Sequence, residues 1–439
     1  MKRKTSIILL TYNNFHYTKD CIESIRRYTE KDSYEIIVVD NASTDETKDW
    51  LKEQEDIKML LKQENVGFPK GCNLRISLAE KENDILLLNN DTIVTKNWLS
   101  NLQKCLHSKK DIGAVGAISN HDANLQGASF TYQDFEKMQE LAAKNNQSDP
   151  NKWEEKACLI GYCMLIKREV INKLQGLDEE YSPGYIEDND LSLQIISLGY
   201  RLMLCHDAFI HHYLGTAFRK DKTQFQQLLQ KNRGYFQEKW GFSCFEFDKT
   251  KNASIFLADP PIKILDYACG IGVSSLRIKY YFPQADITGL EIDPKKRAIA
   301  KHFIPVIENL KLVGRESFDT ILIGNTLEEV EDPLSFLKML HLWLKPNGSI
   351  VGEIHNIATL SNINLLLEDQ WYYSHFEKSN HFTKTDLKMI FSSCGYEEDI
   401  FYPFESQSQK TNSTFASLLQ NEPNSFLNKA YYAFRFRKK

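Results

Sequence analysis

Short apolar runs that each end in a cluster of small polar and acidic residues recur along this chain, and they restrict the fold more than any other feature. Ser6 to Leu10 is one such run, and Cys21, Ile22, Ile25 and Tyr28 behind it fall on one face of a helix spanning Thr18 to Thr29. Glu35 to Val39 ends in Asp40-Asn41-Ala42-Ser43-Thr44-Asp45, and Asp84 to Leu88 ends in Asn89-Asn90-Asp91-Thr92. Strand, helix, strand at this spacing predicts a mostly parallel sheet with helices on both faces. Sheets of that kind bind ligands beyond the carboxyl ends of their strands. The polar tails therefore mark where a site is expected.

A second series begins after Pro260-Pro261. Lys263 to Leu265 reads as a strand, followed by Asp266-Tyr267-Ala268-Cys269-Gly270-Ile271-Gly272 and a helical stretch to Tyr281. Asp286 to Leu290, ending in Glu291, is the next strand, and Phe318 to Ile323 and Ser349 to Glu353 supply two more. The two series share no residue pattern, so they are two α/β domains rather than a repeat. We expect domains at 1–245 and 262–405, a linker at 246–261 and a tail at 406–439.

Composition narrows the class. Apolar residues make up 42% and charged residues 26%, a globular balance. No apolar run approaches a membrane span, and Ile7 to Leu10 is too short for the apolar part of a signal peptide. Nine scattered cysteines without a Cys-x-x-Cys pair argue against a disulfide framework or a zinc ribbon and for a reducing cytoplasm. A formal charge of -5 gives no sign of a nucleic-acid partner.

Ser6-Ile7-Ile8-Leu9-Leu10-Thr11-Tyr12-Asn13 and Val38-Val39-Asp40 through Asp45 resemble the opening of the family 2 glycosyltransferases of GT-A fold. Asn65-Val66-Gly67-Phe68 through Gly71-Cys72-Asn73 is similar to their next signature. Asn89-Asn90-Asp91 resembles their metal-binding Asp-x-Asp with Asn in first place, and Gly184 through Leu191 resembles the acidic motif that carries the catalytic base. The resemblance covers about residues 4 to 241. It implies inverting transfer of a sugar from a nucleotide-sugar donor, of UDP or dTDP type, to a glycan, lipid-linked or protein acceptor. It places Thr11, Asp40, Asn73 and Asn90 on the donor, Asp188 as the base, and Asp91 with Asn89 and one of His211 and His212 on Mn²⁺ or Mg²⁺.

The chemistry asks for these residue types. Departure of a nucleoside diphosphate releases negative charge, which a divalent ion held by hard oxygen ligands offsets. The attacking hydroxyl must lose its proton to a carboxylate on the opposite face. Each residue also has a plain reading. Asp40 and Asp45 suit turns and helix caps, and acids at 187, 188 and 190 suit a helix N-terminus. Neighbours on a strand point to opposite faces, so at most one of His211 and His212 serves a metal. The polar stretch Asn120 to Trp153 reads either as an acceptor-shaping segment or as a surface insertion.

Asp266 through Gly272 is similar to the first motif of class I S-adenosylmethionine (SAM)-dependent methyltransferases, a Rossmann-like fold. Glu291 lies 19 residues beyond Gly272, placed to accept hydrogen bonds from ribose hydroxyls. The resemblance covers roughly 262 to 402 and implies SAM at Asp266, Ala268, Gly270, Gly272 and Glu291. A dinucleotide-binding domain shares the Gly-x-Gly, but Asp266 ahead of the glycine loop and the Phe318-Asp319 strand favour the methyltransferase. Ala268 stands where the first glycine normally sits. His355 and Glu329 are available as a base for O-methylation or as surface residues. The second domain then methylates the glycan or serves as a non-catalytic acceptor-binding or oligomerisation module.

The tail beyond Asn424 interleaves Phe426, Tyr431, Tyr432, Phe434 and Phe436 with basic residues and holds no acid after 424. Two expectations follow: peripheral contact with an anionic membrane surface, at the inner face of the cell membrane, or packing into the core. The sequence carries no signal for oligomeric state.

Overall fold

The computed structural model describes residues 4–121, 123–174, 176–213, 222–248, 263–357, 359, 380–405 and 429–439. The chain divides into two units, Met1–Phe247 and Asp248–Lys439, each with its own sheet. Most of the stretch expected as a linker lies outside the described residues.

The first unit contains β1 (Thr5–Thr11), β2 (Tyr34–Asp40), β3 (Ile57–Leu61), β4 (Asp84–Asn89), β5 (Thr92–Ile93), β6 (Ile112–Ile118), β7 (Trp153–Lys156), β8 (Cys163–Ile166), β9 (Arg201–Phe209) and β10 (His211–His212). Eight of these form one sheet in the order β3-β2-β1-β4-β8-β6-β9-β7, and β5 pairs with β10 in a separate ribbon. Strands β8 and β7 run against their neighbours, and the rest are parallel. Helix Phe15–Tyr28 turns Cys21, Ile22 and Ile25 onto the sheet, where they join Ile7, Leu9, Val38, Leu86 and Leu88 in the core. The polar stretch after Asn120 is ordered where described. Asp134 caps helix Phe135–Asn145, which buries Met138 and Ala142.

The second unit contains β11 (Lys263–Tyr267), β12 (Asp286–Leu290), β13 (Val306–Ile307), β14 (Phe318–Gly324), β15 (Leu344–His355), β16 (Tyr396–Glu405) and β17 (Lys429–Lys438), in the order β13-β12-β11-β14-β15-β17-β16. Only β17 is antiparallel, inserted between β15 and β16. Thr383 and Asp386 form a reciprocal capping box that starts the helix Lys384–Ser393.

That insertion agrees with the second expectation for the tail, packing into the core. From residue 429 the chain is an inner strand, with Tyr432, Phe434 and Phe436 buried. The Phe436 ring stacks on Phe391 at 4.0 Å. Its basic residues are engaged as well: Arg435 and Arg437 donate to Asp399, and Lys438 to the carbonyls of His341 and Leu344. Alternating aromatic and basic residues are what a strand with one core face and one polar face requires. Phe426 lies outside the described residues. Phe436→Ala should destabilise the second unit by about 3–5 kcal/mol. An unchanged urea midpoint for that unit's unfolding would place the ring outside the core.

Candidate functional site

Parallel register sets the ends of β1, β2 and β4 side by side, Thr11 against Asp40 and Leu10 against Asn89. Asp40 is fully buried. Its Oδ2 accepts the Ser43 amide at 3.0 Å, with the Lys48 ammonium 4.0 Å away. Its Oδ1 is buried without a partner. An unpaired buried acceptor costs about 1–3 kcal/mol, so this oxygen is suited to a donor group brought by a ligand. The loop around it depends on Asn and Asp side chains. Asn13 and Ala42 take left-handed backbone angles, φ 56° and 69°. The Asn13 amide donates to Ser43 Oγ at 2.7 Å, and Asn13 Oδ1 accepts the Thr44 amide at 2.7 Å. Thr11 shares a 2.8 Å hydrogen bond with Thr18, whose hydroxyl accepts from Asn90 Nδ2 at 2.9 Å. Thr18 was not singled out in the sequence, because it sits inside a helix pattern.

The β5–β10 ribbon, in which His212 faces Thr92 and His211 faces Ile93, brings the next pair together. His212 Nε2 lies 3.1 Å from Asp91 Oδ1, both side chains buried. Asn120 fixes the His212 backbone from both sides, accepting its amide at 2.7 Å and donating to its carbonyl at 3.2 Å. His211 bonds Tyr132 through Nδ1 at 2.5 Å and is ringed by Phe135 and Tyr213. Burial, then the neighbouring His121 and His212, depress the His211 imidazole to about 4. Of the two candidates, His212 is the one in contact with Asp91. Asn89 closes β4, its amide donating to the Tyr162 carbonyl at 2.9 Å. Among the described residues no three His, Cys, Asp or Glu side chains gather as a metal site. Asp91 and His212 are a carboxylate-imidazole pair, a donor set that fits a divalent ion whose other positions go to phosphate oxygens.

Helix Glu187–Ser197 begins behind Tyr185 and Ile186, both left-handed. Asp188 Oδ2 accepts the Gly161 amide at 3.2 Å and Oδ1 the Asn189 amide at 2.8 Å. Burial raises the Asp188 carboxyl above its ordinary range, and raises its neighbour Glu187, to which the Asp188 charge adds. Glu187 Oε2 is also buried without a partner. The sequence showed it only as an acid at a helix start. Asp190, by contrast, is saturated by Trp240 Nε1 at 2.8 Å and Lys239 Nζ at 2.9 Å, and ties this helix to Lys222–Trp240. Asn73 is engaged at both ends of its amide, donating to the Leu177 carbonyl at 2.8 Å and to Glu179 at 3.0 Å, and accepting the Leu177 amide at 2.7 Å.

In the second unit, Ala268, Gly270 and Gly272 all have positive φ, 52°, 57° and 90°. Ala268 holds a left-handed position at a cost of about 1–2 kcal/mol for a non-glycine residue. Glu291 Oε2 accepts the Gly270 amide at 2.9 Å and Oε1 the Asp293 amide at 2.8 Å, so the acid clamps the loop. Each oxygen keeps a second lone pair for a ribose hydroxyl. Asp266 accepts the Ser275 hydroxyl at 2.6 Å. The loop and Glu291 together fit a nucleoside whose ribose lies at the end of β12.

Both α/β domains gather polar residues beyond the carboxyl ends of parallel strands, where open sheets of this kind bind ligands. Residues 6–175 match the family described as glycosyl transferase family 2, and residues 244–398 match a methyltransferase domain. The chain carries a family 2 glycosyltransferase domain followed by a methyltransferase domain. It is 31% identical over 183 residues to glycosyltransferase GlyG of Streptococcus pneumoniae, covering 40% of this chain and 60% of that protein. Over 99 residues it is 32% identical to a demethylmenaquinone methyltransferase of Staphylococcus aureus, 20% of this chain and 41% of that one. The chain thus spans under two thirds of these relatives. Solved structures similar to it include a Pyrobaculum calidifontis mannosyltransferase in complex with GDP-Man and Mn²⁺ (TM-score 0.40, 19% identity, 54% of this chain and 65% of that one). A SAM-dependent methyltransferase of Archaeoglobus fulgidus is another (TM-score 0.34, 19% identity, 47% of this chain and 99% of that one). No helix among the described residues is long and apolar enough to cross a membrane.

Proposed function

We propose that the first domain transfers a sugar, with inversion, from a UDP- or dTDP-type donor to a hydroxyl of a glycan, lipid-linked or protein acceptor, and that the second domain binds SAM. The observation that carries this reading is the Asp91–His212 contact, made between residues 121 apart in sequence. Asp40 Oδ1 accepts the ring N–H of the donor base, and Thr11 and Asn90 line the donor side through Thr18. Asn73 acts at one remove, by holding the 177–179 loop. Asp91 and His212, with Asn89 adjacent, would hold a divalent ion, which would offset the charge of the leaving diphosphate. Asp188 takes the acceptor proton, held in place by the Gly161 and Asn189 amides. In the second domain Asp266 and Glu291 fix the loop at Ala268, Gly270 and Gly272 against the SAM nucleoside.

Calorimetric titration of UDP with and without Mn²⁺ tests the first domain. Affinity should rise at least about tenfold with the metal, and Asp40→Ala should weaken it in both conditions. Equal affinity with and without Mn²⁺, unchanged in Asp40→Ala, would defeat the reading. SAM titration tests the second domain. Micromolar binding that weakens in Glu291→Ala supports a methyl-transfer site, and absent binding leaves a domain that serves as an acceptor-binding or oligomerisation module.

A further inference from the structure

The second unit holds a histidine-carboxylate pair that SAM binding does not use. Registers run Asp266 against Leu322 and Leu322 against Val351, so β11, β14 and β15 advance in step. The loop 268–272, the helix Thr326–Glu329 and the end of β15 therefore all project beyond the same edge of the sheet. There His355 and Glu328 meet twice. The His355 amide donates to Glu328 Oε1 at 2.8 Å, and His355 Nδ1 lies 2.9 Å from Glu328 Oε2. Glu328 is buried, while the His355 side chain keeps 49% of its surface. A carboxylate on Nδ1 fixes the proton there and turns the lone pair of Nε2 outward. Glu353 is two residues back on the same strand face, and Tyr431 of β17 sits opposite His355 with ring centres 4.9 Å apart.

Resting on the reading of this domain as a SAM site, we infer that His355 is the catalytic base of an O-methyltransferase, with Glu328 as its positioning residue and an alcohol of the sugar type as acceptor. Nε2 takes the hydroxyl proton as the oxygen attacks the methyl carbon. The C–S bond breaks, its electron pair goes to sulfur, and S-adenosylhomocysteine leaves neutral. The imidazolium that forms is stabilised by Glu328 and returns its proton to water. A hydroxyl suits this arrangement, because its oxygen becomes a strong nucleophile only as the proton leaves, and an oriented imidazole is a general base suited to taking it. The groups facing His355 agree with the role. The hydrogen bond to Glu328, against burial, and then the charges of Glu328 and Glu353, hold its imidazole above the ordinary 6.5. Burial likewise raises the Glu353 carboxyl.

The test is a ¹⁵N-histidine NMR titration of the full chain, assigned with His355→Gln, with SAM bound and again with S-adenosylhomocysteine bound. The two ligands differ at the sulfur by one positive charge and a methyl group. An imidazole facing that methyl should titrate lower with SAM by about 0.5–1.5 pH units, with its proton on Nδ1 in the neutral form. His355→Gln should bind SAM within about threefold of the parent, and in Glu328→Gln the His355 midpoint should fall. Equal His355 midpoints with both ligands bound would overturn the assignment while leaving the SAM site standing. A parent chain that binds neither ligand overturns both, so the two failures are distinguishable.

Discussion

Asp188→Asn should lower the turnover of sugar transfer by about 10²–10⁴-fold, the span expected for loss of a general base, while donor affinity stays within a few-fold. The substitution keeps the shape and removes the proton acceptor. Both Asp188 oxygens lie on backbone amides, of Gly161 and Asn189, so the carboxylate is held in one orientation. Burial raises its pKa. The base must be ionised, so activity of the parent falls as pH drops through that raised value. The same shift bears on stability with the opposite consequence. A carboxyl with a higher pKa folded than unfolded binds protons more tightly in the folded state, so its contribution weakens as pH rises from the unfolded to the folded value. The Asn variant lacks that loss. It also sets its NH2 against one of the two backbone N–H groups that the carboxylate accepts, so the thermal midpoint should fall somewhat, and donor affinity within a few-fold of the parent is what separates lost chemistry from lost fold. Turnover within a few-fold of the parent would remove Asp188 from the mechanism and direct attention to Glu187, whose buried Oε2 has no partner.

Asp91→Ala should be of similar size and differ in kind. It leaves His212 as the neighbouring side-chain donor for a divalent ion, and a neutral imidazole offsets none of the metal's charge. Transfer should fall by more than about 100-fold, with the half-saturating Mn²⁺ concentration rising at least about tenfold. His212→Ala should move in the same direction by less. His211→Ala should change the Mn²⁺ dependence less than His212→Ala, because its Nδ1 is bound to Tyr132 and its Nε2, buried without a partner, makes no hydrogen bond to Asp91. A Mn²⁺ titration of Asp91→Ala that overlays the parent's would sink the metal assignment.

Much of this was legible in the sequence. Strand-length apolar runs followed by Asp40, Asn89 and Glu291 announced two parallel sheets and the edges at which polar groups collect. Ala268 in place of a glycine marked a backbone position that proves to be left-handed. The tail kept two readings because an alternation of aromatic and basic residues is the same pattern on a membrane-facing segment as on a strand with one buried face. Only pairing with β15 and β16 distinguishes them. Asn73 shows another limit: a motif residue announces its importance but not whether its amide points at a ligand or, as here, at the backbone of residue 177.

The sequence by itself determined the two α/β domains, the inner parallel strands β1, β2, β4, β11, β12, β14 and β15, and the residue types at their ends, because burial periodicity and turn chemistry are local properties. Tertiary structure decided everything that depends on residues distant in sequence meeting. It set His212 rather than His211 against Asp91 through the register of a two-residue ribbon. It left Asp40 Oδ1 without a partner, joined Glu328 to His355, and drew residues 429–438 into the middle of a sheet. Those outcomes are set by strand register and by which buried polar group finds a partner, and neither is written in any one stretch of chain.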